Sequence, residues 1–156
     1  MLIILTGEIG TGKTTKLKNW SEKNPEFKGI LQLNINGRRI LYDVSNQESK
    51  ELSTNSISNT IQIGKYKFDI KVMQWGSHIL EKLLIEEYPK IIVDEYGKLE
   101  IAGEGLEPTI GKLINKSLIG SLDLILVIRI NLLEDFLKKY SIAENNFKYF
   151  YDVYED

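Results

Sequence analysis

One segment near the start of the chain has the residue types and spacing of a phosphate-binding loop. It fits the pattern G-x-x-x-x-G-K-[ST] without a mismatch, and its residues are Gly7, Glu8, Ile9, Gly10, Thr11, Gly12, Lys13 and Thr14. Glycines let successive backbone N–H groups converge on a phosphate, and the positive end of a following helix favours the anion. A chance match in a chain of this length is on the order of 1%. We therefore predict that this loop binds a nucleoside triphosphate.

Three side chains of this region have predicted roles. Lys13 would place its charge on the β- and γ-phosphates and would assist catalysis by offsetting the charge that develops there. The Thr14 hydroxyl is the expected Mg²⁺ ligand. Thr15 lies in the first turn of the predicted helix and could bond an α-phosphate oxygen. The alternative is a glycine-rich turn with an incidental Lys-Thr, and the buried strand before the loop argues against it.

A second candidate is the acidic pair Asp94-Glu95, which directly follows the apolar run at 91–93. In open α/β sheets, ligands bind outside the carboxyl ends of the strands. We predict that Asp94 holds Mg²⁺, directly or through water. Glu95 would be the catalytic base that accepts a proton from the water attacking the γ-phosphate. An acidic pair after a strand is by itself often a solvated turn, so this prediction depends on the complete phosphate loop.

Two basic residues are weaker candidates near this pair. Arg129 ends the apolar run at 124–128, so its guanidinium could reach the phosphates and stabilise transition-state charge. It could equally lie in solvent or pair with Glu134. Lys98 is close in sequence to Glu95 and could orient that carboxylate or contact phosphate, although a solvated lysine is the simpler interpretation.

For the other polar and aromatic residues, a structural interpretation is preferred. We expect Arg38 and Arg39, beside a predicted hairpin turn, to serve solubility. His78 is the single histidine and has no partner ligands in the sequence, so we expect it at the surface or at the edge of the core. The aromatic residues between 147 and 154 could stack on a base, but a packed edge strand is the better interpretation.

The order of elements predicts an α/β fold. Apolar runs at 2–5, 91–93 and 124–128 are predicted buried parallel strands, and they alternate with helices. Asn36-Gly37 between two alternating segments predicts an antiparallel hairpin that extends the sheet. The other predictions are helices at 13–23, 69–88, 107–118 and 132–140, a short hairpin at 60–68, a surface loop at 45–59 and an edge strand at 147–154. The expected fold class is a three-layer P-loop NTPase sandwich, mostly parallel, forming a single domain over 1–156.

Composition excludes several function classes. The chain has 156 residues and no cysteine, which excludes disulfides, thiolate metal sites and cysteine nucleophiles. Twenty basic and 22 acidic residues give a net charge of −2, which provides no basic field for nucleic acid or an anionic membrane. No apolar run reaches the length of about 7–15 residues in a signal peptide or about 20 in a membrane span. We expect a cytoplasmic monomer, and the sequence identifies no protein partner.

The phosphate loop together with the segment from Asp94 to Glu100 resembles a family of small P-loop nucleoside-triphosphatases. Members occur in thermophilic archaea and bacteria, with a cancer-related human relative, and share a D-E-x-G-[KP]-[ML]-E pattern. Further landmarks of the resemblance are Gly29, Gly37-Arg38-Arg39, Gly64-Lys65-Tyr66, Gly103-Glu104-Gly105 and Arg129. The chain departs from the pattern at 30–34, which lacks an arginine-bearing signature, and at Tyr96, where an aliphatic residue is more usual.

This resemblance implies a RecA-like core and slow, Mg²⁺-dependent hydrolysis of several nucleoside triphosphates with little base selectivity. Two other functions use the same phosphate loop. A small nucleoside or nucleotide kinase would need an acceptor site and commonly an arginine-bearing lid, and Arg129 is the single arginine between residues 98 and 140. A nucleotide-dependent switch would order the loop at 45–59 for a protein partner.

Overall fold

The computed structural model describes residues 1–8 and 10–154. The strands within these residues are β1 (Leu2–Gly7), β2 (Lys28–Ile35), β3 (Arg38–Asp43), β4 (Glu48–Glu51), β5 (Thr60–Ile63), β6 (Tyr66–Asp69), β7 (Lys90–Tyr96), β8 (Asp123–Arg129) and β9 (Phe147–Tyr149). The helices are α1 (Lys13–Lys23), α2 (Ile70–Ile85), α3 (Lys98–Ile101), α4 (Thr109–Leu118), α5 (Leu133–Lys139) and α6 (Phe150–Val153). None of the described helices is long and apolar enough to cross a membrane.

The main sheet has the strand order β4-β3-β2-β7-β8-β1-β9. Strands β2, β7, β8, β1 and β9 pair in parallel, whereas β3 and β4 add antiparallel strands at one edge. Strands β5 and β6 form a separate two-stranded antiparallel sheet. This confirms the predicted α/β fold class, a mostly parallel sheet extended by antiparallel strands.

Side chains alternate between the two faces of the sheet, and helices cover both faces. On one face, Leu124 and Leu126 of β8 pack in a cluster with Leu80 of α2 and Leu113 of α4. On the other face, the alternate side chains of β1, β7 and β8 pack with Leu17 of α1 and with two aromatic side chains. The strand residues are Ile3, Leu5, Ile92, Ile125 and Val127, and the aromatic residues are Phe27 and Phe150. The three central parallel strands therefore have the continuous apolar runs expected of strands covered on both sides.

Two positions that set the placement of β2, one in the following turn and one within the strand, depend on particular backbone geometry. Asn36 and Gly37, between β2 and β3, have φ of 52° and 78°, and this pair of positive values is what a two-residue type I′ hairpin turn requires. At the other end of β2, Gly29 has φ of 140° and lies against β7. A Cβ at Gly29 would lie 1.9 Å from the carbonyl oxygen of Ile92. The absence of a side chain at Gly29 therefore allows β2 to approach β7.

The structure differs from the sequence prediction in two segments. Residues 45–59 are not wholly a loop, because they include β4, which pairs with β3 over four residue pairs. The predicted strand at 147–154 is wrong after Tyr149, where the chain forms α6. The reason is packing: Phe150 and Tyr154 lie 5.3 and 4.7 Å, ring centroid to ring centroid, from Trp20 of α1. In a helical turn, residues four positions apart lie next to each other on one side, so both rings contact Trp20. In a strand, the same two residues would be about 13 Å apart.

Candidate nucleotide-binding site

A cleft of about 490 Å³ opens at the carboxyl ends of β1, β2, β7 and β8. The residues that line it come from the phosphate loop and the start of α1, from the end of β2, from β3 and from the ends of β7 and β8. They are Gly10, Thr11, Gly12, Lys13, Thr14, Thr15, Lys18, Gln32, Leu33, Asn34, Ile35, Arg39, Asp94, Glu95, Val127 and Arg129. This is the edge of the sheet where a ligand is expected in an open α/β fold.

The phosphate loop joins the buried strand β1 to helix α1, as predicted. Gly10 and Gly12 have φ of 79° and 76°, a left-handed conformation that glycine adopts without steric cost. The Thr11 hydroxyl donates a hydrogen bond to the carbonyl oxygen of Glu8 at 2.9 Å. The Lys13 ammonium donates to the same carbonyl oxygen and to the Thr11 hydroxyl, which is 3.2 Å away. The Lys13 charge is thus directed into the loop. Ile9, also predicted to contact nucleotide, lies outside the described residues.

Asp94 is the most buried acid of the cleft, with 1% of its surface exposed. The Thr14 hydroxyl donates to its Oδ2 at 2.7 Å, and the backbone N–H of Gln32 donates to the same oxygen at 3.3 Å. Burial raises the pKa of Asp94 to about 7, and the hydrogen bonds from Thr14 and Gln32 together with the charge of Arg39 act in the opposite direction. A carboxylate in this environment is stabilised by a cation beside it.

The donor set around Asp94 suits Mg²⁺. A hydroxyl oxygen and a carboxylate oxygen lie next to each other at the edge of the cleft, and Mg²⁺ is commonly held by one or two protein oxygens together with substrate phosphates and water. Within residues 1–8 and 10–154, no three acidic or histidine side chains gather into a metal cluster. The fit is therefore to an ion bound jointly with a nucleotide.

A β-bulge brings both predicted carboxylates into the cleft. Val93 of β7 pairs with Leu126 of β8 and Tyr96 pairs with Ile128, so that Asp94 and Glu95 together face a single residue of β8. In a regular strand, consecutive side chains point to opposite faces, whereas a bulge redirects one of them. Asp94 and Glu95 both line the cleft as a result.

Arg129, at the end of β8, contacts Glu95 directly. Its Nε forms an ion pair with Oε1 of Glu95, and the exposed fractions of the two side chains are 35% and 16%. Of the interpretations left open by the sequence, the pairing with Glu134 is wrong, because Glu134 pairs with Lys138 at 2.7 Å. Lys98 does not join the site: it begins α3 with an exposed side chain outside the lining of the cleft. His78 is exposed on α2, as expected.

Arg39 was not predicted as a site residue, yet it lines the cleft. Its neighbour Arg38 behaves as expected for a solubilising residue, with 71% of its side chain exposed and a 3.7 Å ion pair to Glu51. The signal that distinguishes them is periodicity. Arg39 lies two residues before Leu41, which is buried, so both side chains lie on the covered face of β3.

The segment after the acidic pair is a compact structural turn. Glu100 is 6% exposed and accepts hydrogen bonds from the backbone N–H groups of Gly97, at 2.9 Å, and Leu106, at 3.1 Å. Burial raises the pKa of Glu100. A Cβ at Gly105 would lie 2.3 Å from Glu100 Oε1, so the glycine makes room for this carboxyl group. These residues stabilise the turn that leaves β7 rather than lining the cleft.

The chain is similar to known nucleoside-triphosphatases. The chain matches the NTPase family over residues 2–153. It is 28% identical over 120 residues to the nucleoside-triphosphatase THEP1 of Thermotoga sp. (strain RQ2), covering 74% of this chain and 68% of the relative. The protein of the same name from Thermotoga maritima gives the same identity and coverage.

The fold is also found among solved structures. THEP1 from the hyperthermophile Aquifex aeolicus superposes with a TM-score of 0.76 over 96% of this chain and 88% of its own, at 20% sequence identity. That likeness shows the fold, and the family match extends over nearly all described residues. The chain therefore belongs to the NTPase family and is a nucleoside-triphosphatase.

Proposed function

We propose that this protein hydrolyses nucleoside triphosphates to diphosphate and phosphate with Mg²⁺, and that Glu95 activates the attacking water. The supporting observation is the convergence of two separate segments on one cleft, namely the phosphate loop with the start of α1 and the end of β7. Thr14 of α1 hydrogen bonds Asp94 of β7 at 2.7 Å, and Glu95 lines the same cleft beside them. A phosphate loop, a metal-binding carboxylate and a candidate base are the parts that direct hydrolysis of a phosphoanhydride needs.

Binding of the triphosphate would use the loop and the start of α1. The backbone N–H groups from Gly10 to Thr15 would surround the β-phosphate, and the N-terminal end of α1 favours that charge. The Lys13 ammonium would exchange its contacts with Glu8 and Thr11 for the β- and γ-phosphate oxygens. Thr15 would bond an α-phosphate oxygen from the first turn of the helix.

Thr14 and Asp94 are the residues that would hold Mg²⁺. When bound there, Mg²⁺ would neutralise charge on the β- and γ-phosphate oxygens. The role of the chain is to present two oxygens at fixed separation, and the hydrogen bond from the Gln32 backbone keeps Asp94 Oδ2 in place. Asp94 is buried, which keeps bulk water from competing for that carboxylate.

Glu95 would accept the proton of the attacking water. Its Oε1 is held by Arg129, so the carboxylate has one fixed oxygen and can present the other to water. We assign Arg129 as a positioning residue for the base. Its guanidinium also lines the cleft, where it would offset charge on the transferring phosphoryl group.

Broad base tolerance is part of the proposal. It is supported by the resemblance of the motifs and by the general name of the Thermotoga relatives, which specifies no base. A cytoplasmic location, a monomeric state and a single domain stay predictions from the sequence.

The test is phosphate release from ATP, GTP, CTP and UTP, each with Mg²⁺ and without any acceptor. We expect release from several of them, and we expect Glu95→Gln to bind nucleotide normally while turnover falls by about a hundredfold or more. Glu104→Gln is the matched control, since Glu104 is an exposed acid outside the cleft, and it should leave turnover unchanged.

Three other outcomes would contradict the proposal. If ADP forms only when a nucleoside or nucleotide acceptor is added, the protein is a kinase and Glu95 acts on an acceptor hydroxyl. If nucleotide binds tightly with negligible release until a protein partner is added, a nucleotide-dependent switch is the better description. If Glu95→Gln hydrolyses at the wild-type rate, another group is the base.

A further inference from the structure

Arg39 combines two features that a solubilising residue does not have. Its side chain lines the nucleotide cleft, and its Nε is buried without a hydrogen-bond partner among the residues that the structure describes. Burying a polar donor of a charged group without a partner costs free energy. This cost is offset when a ligand supplies a hydrogen-bond acceptor. For a positively charged guanidinium group, an anionic oxygen is the favoured acceptor.

The backbone of Arg39 is held on both sides by the segment that follows β4. The Arg39 N–H donates to the Ser53 hydroxyl at 3.0 Å, and the Arg39 carbonyl oxygen accepts from the N–H groups of Leu52 and Ser53 at 2.8 and 3.1 Å. The same segment continues into the small sheet: Thr54 donates to the Lys67 carbonyl oxygen at 2.9 Å. Strand β3 and the small sheet are therefore joined at Arg39.

This connection places an aromatic ring on the guanidinium. Tyr66, the first residue of β6, has its ring centroid 5.2 Å from the Arg39 guanidinium carbon, and Tyr66 stacks in turn on Phe68 at 6.0 Å. An arginine that stacks on an aromatic face keeps its edge N–H groups available for a planar or phosphate partner. The small sheet therefore fixes the orientation of a cation that belongs to the cleft of the main sheet.

The position in the sheet indicates which phosphate Arg39 would meet. Strand β3 is separated from β7 by β2 alone, about 10 Å away at the usual strand spacing, and the β2 residue Gln32 bonds Asp94. The phosphate loop lies on the opposite side of Asp94, after β1. A nucleotide whose β-phosphate is bound in the loop and whose γ-phosphate faces Glu95 would present that terminal phosphate toward β3.

We propose that Arg39 binds the γ-phosphate of the nucleotide and thereby makes the site select triphosphates over diphosphates. This inference rests on the proposed function for the location of the β-phosphate. In this arrangement β4, the segment at 52–54 and the small sheet together hold the Arg39 guanidinium opposite the phosphate loop. Arg129 also lines the cleft but forms an ion pair with Glu95. Within the described residues, Arg39 forms no ion pair, although its charge acts on Asp94.

The experiment measures binding rather than turnover. Dissociation constants of the β,γ-imido analogue of ATP and of ADP, both with Mg²⁺, are determined by calorimetry for the wild type and for Arg39→Ala. We expect the analogue to bind about ten- to a hundredfold more weakly to the variant, the range for one lost charge-assisted hydrogen bond, with ADP affinity unchanged. Arg38→Ala, an exposed arginine one residue away, is the matched control and should change neither constant.

Three further variants keep the test decisive. Arg39→Lys retains the charge without the planar fork and should recover part of the discrimination. Arg39→Gln replaces Arg39→Ala if thermal unfolding shows that the alanine variant does not fold. Tyr66→Leu removes the ring under the guanidinium and should weaken the analogue in the same direction by a smaller factor.

The outcomes separate this inference from the proposed function. Equal losses for the analogue and ADP, or no loss for either, would overturn the assignment of Arg39 while the wild type still binds and hydrolyses triphosphate. Failure of the wild type to bind either nucleotide would overturn the proposed function and this inference with it. A loss confined to the analogue in Arg39→Ala, absent in Arg38→Ala, supports the assignment.

Discussion

The two sides of the cleft are built in different ways. The loop side comprises the phosphate loop, which follows β1, together with Asp94 and Glu95 near the end of β7 and Arg129 at the end of β8. The hairpin side comprises residues 32–35 and Arg39, which belong to β2 and its antiparallel partner β3. On the loop side, each functional group is adjacent in sequence to the strand that positions it. On the hairpin side, Arg39 is positioned by contacts with Leu52 and Ser53, which lie 13 and 14 residues further along the chain.

The two sides also differ in how deeply their supports are buried. Ile91, Ile92 and Val93 of β7 have 0% of their surface exposed, whereas all four residues of β4 are exposed. Strands with few buried apolar contacts open locally at a lower free energy than strands of the core. The proposed catalytic residues thus lie on strands of the buried core, whereas the residue proposed to recognise the terminal phosphate lies on β3, next to the exposed edge strand β4.

The largest expected effect is at the seam between the two sides, where Gly29 of β2 lies against β7. Gly29→Ala would force a Cβ to within 1.9 Å of the Ile92 carbonyl oxygen, a backbone atom that cannot rotate away. We expect a loss of about 3 kcal/mol in the free energy of unfolding, measured by urea denaturation.

Gly64→Ala is the control for this change. Gly64 also has positive φ, at 57°, but no atom lies within 4 Å of the added Cβ. It should lose only the conformational cost, about 1 kcal/mol. Equal losses for the two variants would mean that the close approach of β2 to β7 does not matter for stability.

The second effect is on the loop side, at Arg129. Arg129→Ala would release Glu95 and remove a positive charge from the cleft, and we expect kcat to fall about ten- to a hundredfold, equivalent to about 2 kcal/mol. The affinity for nucleotide should change much less, because Glu95 is proposed to act on water. Single-turnover phosphate release gives the rate of the chemical step.

Glu134→Ala tests the alternative placement of Arg129. Glu134 pairs with Lys138 and not with Arg129, so this variant should keep wild-type turnover. A loss in Glu134→Ala equal to that in Arg129→Ala would show that the arginine acts through the helix after β8 instead of through Glu95.

The smallest effect concerns the support of β7. The fully buried Tyr96 donates its hydroxyl to Tyr140 at 3.1 Å, and burial raises the pKa of Tyr96 to about 12 from 10.0. The folded state therefore keeps this proton over a range where the unfolded state has lost it, so its contribution to stability falls as pH rises from 10 to 12. Tyr96→Phe should cost about 1 kcal/mol at neutral pH and should reduce that alkaline loss, as followed by thermal unfolding against pH. An alkaline loss identical to that of the wild type would assign it to another group.

The sequence predicted the loop side well because its signals are local. The motif places Lys13 and Thr14, and a strand followed by an acidic pair places Asp94 at the same edge of a parallel sheet. The contact between Arg129 and Glu95 could not be chosen over one with Glu134, because both partners are compatible with an arginine after a strand. Which pair forms depends on the bulge in β7, and a bulge leaves no distinct pattern in its residues.

For the hairpin side, the sequence predicts the two strands and their turn but no functional residue. Asn36-Gly37 predicts the turn, and alternation with Leu41 places Arg39 on the covered face of β3. The contacts that hold Arg39 come from Leu52 and Ser53, which a sequence pattern around the turn does not indicate. Strand β4 was missed because Glu48–Glu51 is polar at every position and has no buried face to produce alternation. The predicted strand at the end of the chain is wrong after Tyr149. Aromatic residues favour strands in general, but Phe150 and Tyr154 have the helical spacing that lets both rings pack on Trp20.

The pairing of β1 has a consequence for the order of events in folding. The phosphate loop is adjacent in sequence to α1, but β1 before it pairs with β8, from Leu2 with Leu124 to Gly7 with Arg129, and with β9 on its other edge. These are pairings between distant parts of the chain, and closing such large loops is slow. The hairpin of β2 and β3, by contrast, closes over a two-residue turn within microseconds. A refolding experiment should therefore detect the hairpin first, and nucleotide-binding capacity should return only with the last cooperative phase.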